Sequence, residues 1–485
     1  MKPDRTYCQT GDALALIDKA TSFYEEGYMF SPQFRNHVWD GRKHLFRKTD
    51  KSFPSGLLSH VCLALEKKGL TYSIVTDFEL GKITEYHGLP GVEDREYQNE
   101  AIHEGLMKHR GIFHMATNAG KTTVMAGLAT CVLGKILVLT HRLELLHQTS
   151  SRLRDMCVEP VGICGDSSWD DTQRITVAMI PTLSSRMKGD TKKAKFMRTE
   201  WIKQFNCLMV DECHHMGAST WYDIAMRCDA PWRFGFSGTP IRTDNRDMML
   251  AAAAGPVIYT TTNKDLIDAG VSAQPIVRFA PIHQPVIIPT KNQDWPDAYK
   301  NGIVENTFRN AKGVDLAIRH CKRDEKILLL VTEIDHGERL QKMFECRDYW
   351  VEFIHGGCEP RHRKDSLKAF KNQEGGAILI ASTILDEGID IPTIDVIVML
   401  GAGKSPIKML QRIGRGLRKK ESGKLYVYDF LDLMDVDRVP PKRKNQKPKH
   451  GFLTNHAIQR YTYLKSQAGF DVKLLEKEET ESVLN

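Results

Sequence analysis

Two separate series of short apolar runs, each interleaved with stretches of helical periodicity, restrict this chain more than any other feature of it. The first series lies between about residues 111 and 239: GIFHM, KILVLT (135–140), ITVAMI (175–180), CLMV (207–210) and FGFSG (234–238). The second follows SAQPIVRFAPI: ILLLV from 327, WVEFI from 350, AILIAS from 377, VIVML from 396 and LYVYDF from 425. Several runs lack the apolar–polar alternation of a strand with one wet face, which points to strands covered by helices on both sides of a parallel sheet. Strand–helix alternation occurring twice makes two tandem α/β domains the simplest account, and 485 residues are too many for one ordinary core. About 90 residues of different texture precede them, followed by HGLPGVED, which reads as a linker.

With 41% hydrophobic and 27% charged residues, composition is globular, which excludes a disordered or membrane-embedded chain. No apolar run approaches the roughly 18 to 20 residues that span a bilayer, and MKPDRTYCQTGD lacks the features of a signal peptide. A soluble protein of the cytoplasm is expected, of the host cytoplasm if the gene is a phage's. The eleven cysteines are scattered without a C-x-x-C pair, which fits free thiols in a reducing compartment. A net charge of +7 permits nucleic acid as a partner without requiring it.

The stretch IFHMATNAGKTTVMAG (112–127) places Gly120-Lys121-Thr122 between a strand and a helix, the context of a phosphate-binding loop. Such a loop turns backbone N–H groups and a helix N-terminus toward phosphate oxygens, with Lys on the phosphates and Ser or Thr on magnesium. Its bend needs a residue that tolerates left-handed backbone angles, and Asn118 is suited to stand where glycine is common. The competing reading is a helix N-terminus with a surface lysine. Further on, CLMVDECHH is an apolar strand ending in two acids, and carboxylates at a strand's C-terminal edge face the ligand crevice of an α/β sheet. Asp211 is suited to hold magnesium and Glu212 to polarise water. Zinc on Cys213, His214 and His215 is an alternative, but no second ligand pair stands at zinc spacing.

ATNAGKT, DECH, FSGTP, ASTILDEGIDIP and QRIGRGLR, in this order, resemble motifs I, II, III, V and VI of superfamily 2 helicases, over roughly residues 92 to 432. The resemblance implies two RecA-like parallel-sheet domains with ATP and Mg2+ between them. It implies that Thr117, Asn118, Ala119, Gly120, Lys121, Thr122 and Thr123 form the phosphate loop, with Thr122 and Asp211 on Mg2+. It implies that His214, Ser237 and Thr239 couple hydrolysis to nucleic acid, and that Asp386 and Gly388 meet the nucleotide. Arg415 and Arg418, three apart on one helix face, match the finger positions that reach the γ-phosphate, and Gln411 opens that motif. REYQNEAI resembles the adenine-side motif of the RecG and XPB branch, with Arg95 stacking and Gln98 reading the base edge.

The substrate has to be read from the flanks. FSPQFRNHVWDGRKHLFRKTDK mixes Phe30, Phe34, Trp39 and Phe46 with Arg35, Arg42, Lys43, Arg47, Lys48 and Lys51, a combination suited to stacking and phosphate contact. The plainer reading, with aromatics in a core and charges outside, coexists with it. This segment also resembles the N-terminal domain of UvsW-type phage DNA helicases, which implies an enzyme that remodels forks and Holliday junctions in recombination, repair and replication. Arg42, Lys43, Arg47, Lys48 and, in the first motor domain, Arg142 are the expected DNA contacts. An RNA helicase and a double-strand translocase serving a nuclease complex are the alternatives. The expected domains are a small α+β DNA-binding accessory domain over 1–90, the ATP-binding domain over 91–275, the second motor domain over 276–435, and a basic loop with an amphipathic helix over 436–485. The loop carries six basic residues and no acid from Arg438 to Lys449.

Overall fold

The computed structural model describes the chain except for residues 5, 77–78, 215–218, 239–246, 288–294, 346, 383–393, 404–408, 410–411, 415, 418–421, 436–450 and 476–485. The chain divides into two compact units, Met1–Thr261 and Thr262–Asn485.

The first unit opens with an α+β layer. Strands β1 (Lys2–Pro3), β2 (Tyr7–Gln9), β3 (Ser22–Tyr24), β4 (Arg42–His44) and β5 (Ser52–Pro54) form an antiparallel sheet, β1-β2-β5, and a separate β3–β4 ribbon. Helices Leu14–Ala20 and Leu58–Glu66 close over them and bury Ile17, Val61 and Leu65. The core of this layer runs on into the motor lobe: Cys8, Phe53, Leu57 and Val61 share one apolar cluster with Met249 and Ala252 of the helix Asp247–Ala254. The fit there is tight, since a methyl group on Gly56 would lie 2.1 Å from the Ala251 carbonyl oxygen and 2.6 Å from that of Ala252. The stretch between the layer and the motor motifs also lies on the unit: Ile83 bridges Val132, and the Thr84 N–H donates to the Cys131 carbonyl at 2.9 Å.

Eight strands follow: β6 (Arg110–Met115), β7 (Ile136–Thr140), β8 (Val161–Gly165), β9 (Ser168–Trp169), β10 (Ile175–Met179), β11 (Cys207–Val210), β12 (Trp232–Ser237) and β13 (Val257–Thr261). They pair in the order β13-β6-β12-β11-β7-β10-β8-β9, parallel throughout except for β8 with β9. Every residue of β7, β11 and β12 is buried, as the unbroken apolar runs require of central strands covered on both faces. The order sets β6, β12 and β11 side by side. Because they are parallel, the segments that leave their C-terminal ends, beginning at Ala116, Gly238 and Asp211, emerge on one edge.

The second unit holds β14 (Gln274–Ile282), β15 (Lys326–Leu330), β16 (Trp350–Ile354), β17 (Ala377–Ala381), β18 (Val396–Met399), β19 (Lys424–Asp432) and β20 (Asp471–Leu474). All are parallel, in the order β16-β17-β15-β18-β19-β14-β20. The C-terminal helix Phe452–Lys465 is fastened to this sheet by buried charge. Arg460 meets Asp429 at 2.9 Å and Asp432 at 3.3 Å, while Arg309 of the helix Thr307–Cys321 meets Asp432 at 2.9 Å. Charges this deep persist only when paired. One further donor of each holds the turn after β18: Arg309 donates to the Leu400 carbonyl at 2.6 Å and Arg460 to that of Gly403 at 2.9 Å, and the Tyr299 hydroxyl donates to Gly401 at 2.8 Å. Among the described residues no helix is long and apolar enough to cross a membrane.

Candidate active site of the first unit

The loop after β6 has the backbone that its sequence demands. Asn118 adopts φ +73° and Gly120 φ +79°, and the helix Lys121–Cys131 begins directly after them. Gly120 has a second reason to lack a side chain, since a Cβ there would stand 2.2 Å from the Gln98 amide nitrogen. Gln98 is buried and its amide donates to the Ala119 carbonyl at 3.0 Å, so it braces the loop from behind. The same nitrogen approaches the Tyr97 hydroxyl at 3.3 Å; that hydroxyl also accepts from Arg95 at 3.4 Å, and Arg95 pairs with Glu93 at 3.1 Å.

Facing the loop, the acids leave the end of β11. Lys121 Nζ lies 3.1 Å from Glu212 Oε1, and the other carboxylate oxygen lies 3.3 Å from Nδ1 of His214. The same ring nitrogen lies 3.0 Å from the Ser237 hydroxyl at the end of β12. A continuous polar chain thus runs from the phosphate loop through Glu212 to Ser237. Glu212 holds φ +47°, unusual outside glycine, and its N–H donates to Asp211 Oδ1 at 3.0 Å.

The two acids titrate in opposite directions. Burial, then the charge of Glu212, pushes the Asp211 carboxyl up to about 6. Burial also opposes ionisation of Glu212, but Lys121 and His214 outweigh it and hold that carboxyl well below the usual range. For Lys121 burial works against the charge, and Glu212 with Asp211 overcomes it, so the ammonium is held above its ordinary value. A site with Glu212 ionised and Asp211 short of a cation suits a divalent ion. Among the described residues no cluster of three or more His, Cys, Asp or Glu could hold a metal unaided, and magnesium characteristically takes one or two carboxylates with phosphate oxygens and water. The loop backbone, Thr122 and Asp211 fit that requirement.

Thr239, Asp386, Gly388, Gln411, Arg415 and Arg418, with the basic run 438–449, lie outside the described residues. Cys213 of the zinc alternative packs against Gly235, and His214 is engaged by Glu212 and Ser237; His215 lies outside the described residues. Arg142 is exposed at the N-cap of the helix Leu143–Cys157, just beyond β7. In the N-terminal layer the expected DNA-contacting side chains separate. Phe46 is buried, Trp39 donates its indole N–H to the Arg42 carbonyl at 2.8 Å, and Phe34 packs edge-on against Tyr28. Arg42 covers the Tyr24 ring and donates to Ser22 at 3.0 Å; Arg47 covers Tyr7 and pairs with Asp50 at 2.8 Å. Lys43 is half-buried and Lys48 exposed.

Two participants were not legible from motif spacing. His114, inside β6, approaches the Gly238 carbonyl at 3.2 Å and so ties the strand before the loop to the Ser-Gly turn. Tyr97 joins Arg95 to Gln98. Only the strand pairing of β6 with β12 exposes the first, whereas the second stands next to a motif residue.

This placement of a phosphate loop beside an acid pair, with a second parallel sheet downstream, defines a two-lobed motor ATPase. Residues 91–242 match the family described as type III restriction enzyme, res subunit, and residues 311–420 match the helicase conserved C-terminal domain. The chain belongs to helicase superfamily 2 and is an ATP-dependent DNA helicase. It is 26% identical over 467 residues to the ATP-dependent DNA helicase uvsW of Enterobacteria phage T4, covering 90% of this chain and 91% of that one. It is 24% identical over 378 residues to the DNA 3'-5' translocase XPB2 of Sulfurisphaera tokodaii, covering 69% and 81% respectively. In fold alone it matches Saccharomyces cerevisiae Dbp5 bound to RNA and ADP BeF3, at TM-score 0.53 and 14% identity over 81% of this chain and 92% of that one.

Proposed function

We propose that this helicase translocates on branched DNA and remodels it, regressing forks and moving four-way junctions in recombination, repair and replication, in the cytoplasm of the host cell. The observation that carries this reading is the extent of the uvsW likeness: 90% of the chain is more than the motor motifs occupy, whereas the XPB2 likeness covers 69%. The first 90 residues then serve as a DNA-binding element seated on the first lobe, with Lys43 and Lys48 as phosphate contacts, and Arg142 of that lobe adds another.

At the nucleotide site, Lys121 and the amides of Thr117 to Thr123 would hold the phosphates, with Thr122 and Asp211 on Mg2+. Bound ATP·Mg2+ would supply the γ-phosphoryl group and the ion that neutralises its charge. Lys121 now spends its charge on Glu212 at 3.1 Å. A phosphate competing for that ammonium releases the Glu212 carboxylate to orient water. His214, between Glu212 and Ser237, carries the state of the carboxylate to the segment that leads toward Thr239. Arg415 and Arg418, with Gln411, would be the transition-state donors, and Asp386 with Gly388 would meet the nucleotide.

The test is ATP turnover compared across single-stranded DNA, duplex, forked DNA, a four-way junction and RNA. Forked or four-way DNA is expected to stimulate most. Strongest stimulation by RNA would establish an RNA helicase, and full stimulation by plain duplex would favour a double-strand translocase.

A further inference from the structure

Between β10 and β11 the first unit carries a basic stretch that the nucleotide site does not use. From Arg186 to Lys203 seven Arg and Lys residues stand against two acids, Asp190 and Glu200, an excess of five in a chain whose net charge is +7. Arg186 lies over the Trp169 ring at 3.8 Å, and Arg198 donates to the Gly189 carbonyl at 2.6 Å. Lys188, Lys192, Lys193 and Lys195 are exposed, and among the described residues no acid or carbonyl engages their ammonium groups. We propose that this face is a further binding surface for duplex DNA, meeting the phosphodiester backbone of an arm that lies against the first lobe. The inference needs only that the chain binds DNA and goes beyond the branched-DNA reading above.

Two short helices frame this face. Ile180–Met187 begins directly after β10, which runs parallel beside β7, so it starts on the edge from which Arg142 also leaves. Lys192–Thr199 is capped by the Thr191 side chain, which accepts from the Ala194 N–H at 3.1 Å, and its Met197 joins Leu183 and Met187 of the first helix in one buried cluster. With Ala194 and Met197 turned inward, Lys192, Lys193 and Lys195 are left on the outer side. Beside them a groove of about 530 Å³ opens between the first helix and Ser219–Arg227, and Ser184, Ser185, Lys188 and Thr220 line it together with Trp221. Among the described residues the three hydroxyls of this groove make no hydrogen bond to protein.

Three open hydroxyls and an ammonium around one groove suit acceptor oxygens, and Lys, Ser and Thr are side chains that meet DNA phosphates. The surroundings do not cancel the charge. The facing helix Ser219–Arg227 sets Asp223 against Arg227, and of the acids between β9 and β10, Asp170 accepts from the Thr172 hydroxyl at 2.6 Å and Asp171 from the Trp201 indole at 2.7 Å. A second copy of this chain would bring like charges together, whereas a polyanion satisfies them. The helix Lys192–Thr199 has eight residues and is about 12 Å long. Over that length duplex DNA carries about seven phosphate charges, twice as many as one strand, so a short rigid helix that cannot wrap gains most from duplex.

The test uses the full chain with Lys188→Ala, Lys192→Ala, Lys193→Ala and Lys195→Ala combined, and a companion with Lys→Arg at the same four positions. Affinity for unbranched duplex and for single-stranded DNA is measured across a salt series. In the alanine variant the fall of log affinity with log salt on duplex is expected to be shallower by at least about 1.8, the loss of two phosphate contacts. The arginine variant should keep the wild-type slope, and both variants should melt at the wild-type temperature. A wild-type duplex slope in the folded alanine variant overturns the inference. So does a loss confined to single-stranded DNA that Phe196→Ala reproduces, since the exposed Phe196 ring on the same helix would then mark a strand-stacking site. Weakened self-association with duplex binding intact also overturns it, by making the face an interface between copies. A wild-type chain with no preference for fork over duplex defeats the branched-DNA reading and leaves this inference standing, because the slope is read on unbranched duplex.

Discussion

Adding one methyl group at Gly56 tests whether the N-terminal layer and the first motor lobe are one folded body. In Gly56→Ala the new carbon would stand 2.1 Å from the Ala251 carbonyl oxygen and 2.6 Å from that of Ala252. Relief to an ordinary contact requires the layer and the helix Asp247–Ala254 to separate by about 1 Å, which loosens Phe53, Leu57 and Val61 against Met249 and Ala252. Overpacking costs about 1–3 kcal/mol when side chains give way, and backbone obstructs here, so the loss should reach the upper end, about 3 kcal/mol. For a unit of this size that lowers the melting temperature by about 6–12 °C. Gly56 is not among the glycines with left-handed backbone angles. Without the clash, the loss of unfolded-state freedom would therefore favour alanine by about 0.4–1 kcal/mol. Calorimetry of the full chain measures the effect. Melting at or above the wild-type temperature would refute the seating of the layer on this helix. Deleting residues 1–66 should likewise bare Met249 and Ala252 and give an aggregation-prone lobe.

Glu212→Gln should keep nucleotide binding, measured by titration with a fluorescent ATP analogue, while DNA-stimulated turnover falls about 10²- to 10⁴-fold. Arg415→Ala should lower turnover by about 10³- to 10⁵-fold and leave ATP affinity nearly unchanged, because a finger acts in the transition state; equal losses in both would make it a ground-state binder. His336 is fully buried in the second unit, donates from Nε2 to Asn310 at 2.8 Å, and is pushed down to about 3 by burial and by Arg309. Its folded value lies below the unfolded one, so its stabilisation is present above about pH 6.5 and is lost as pH falls toward 3. Denaturant melts of the second unit's transition should lose about 2 kcal/mol between pH 6.5 and 5, a slope that His336→Gln removes.

Much of both sheets was legible because buried parallel strands announce themselves as unbroken apolar runs, as CLMV and ILLLV do. β8, β13 and β20 escaped for identifiable reasons. β8 is VGICG, whose two glycines dilute the signal; β13 is half-exposed at the sheet edge; β20, DVKL, is polar and held by its pairing with β14. At the site, Asn118 could be read from its tolerance of left-handed angles, and it adopts φ +73°. The brace from Gln98 to Ala119 and the contact of His114 with Gly238 depend on which strands become neighbours, and spacing along the chain does not carry that. The N-terminal aromatics marked the limit of pattern reading most clearly. Phe30 and Phe46 look alike in sequence, yet one faces water and the other the core.

The most direct measurement is ATP-driven regression of a synthetic replication fork with homologous arms, followed by release of the annealed daughter duplex. The account predicts regression that requires hydrolysable ATP and Mg2+, is absent in Glu212→Gln, and exceeds unwinding of a plain tailed duplex by the same concentration of protein. Brisk DNA-stimulated hydrolysis with the fork left intact, or faster unwinding of RNA than of forked DNA, would contradict it.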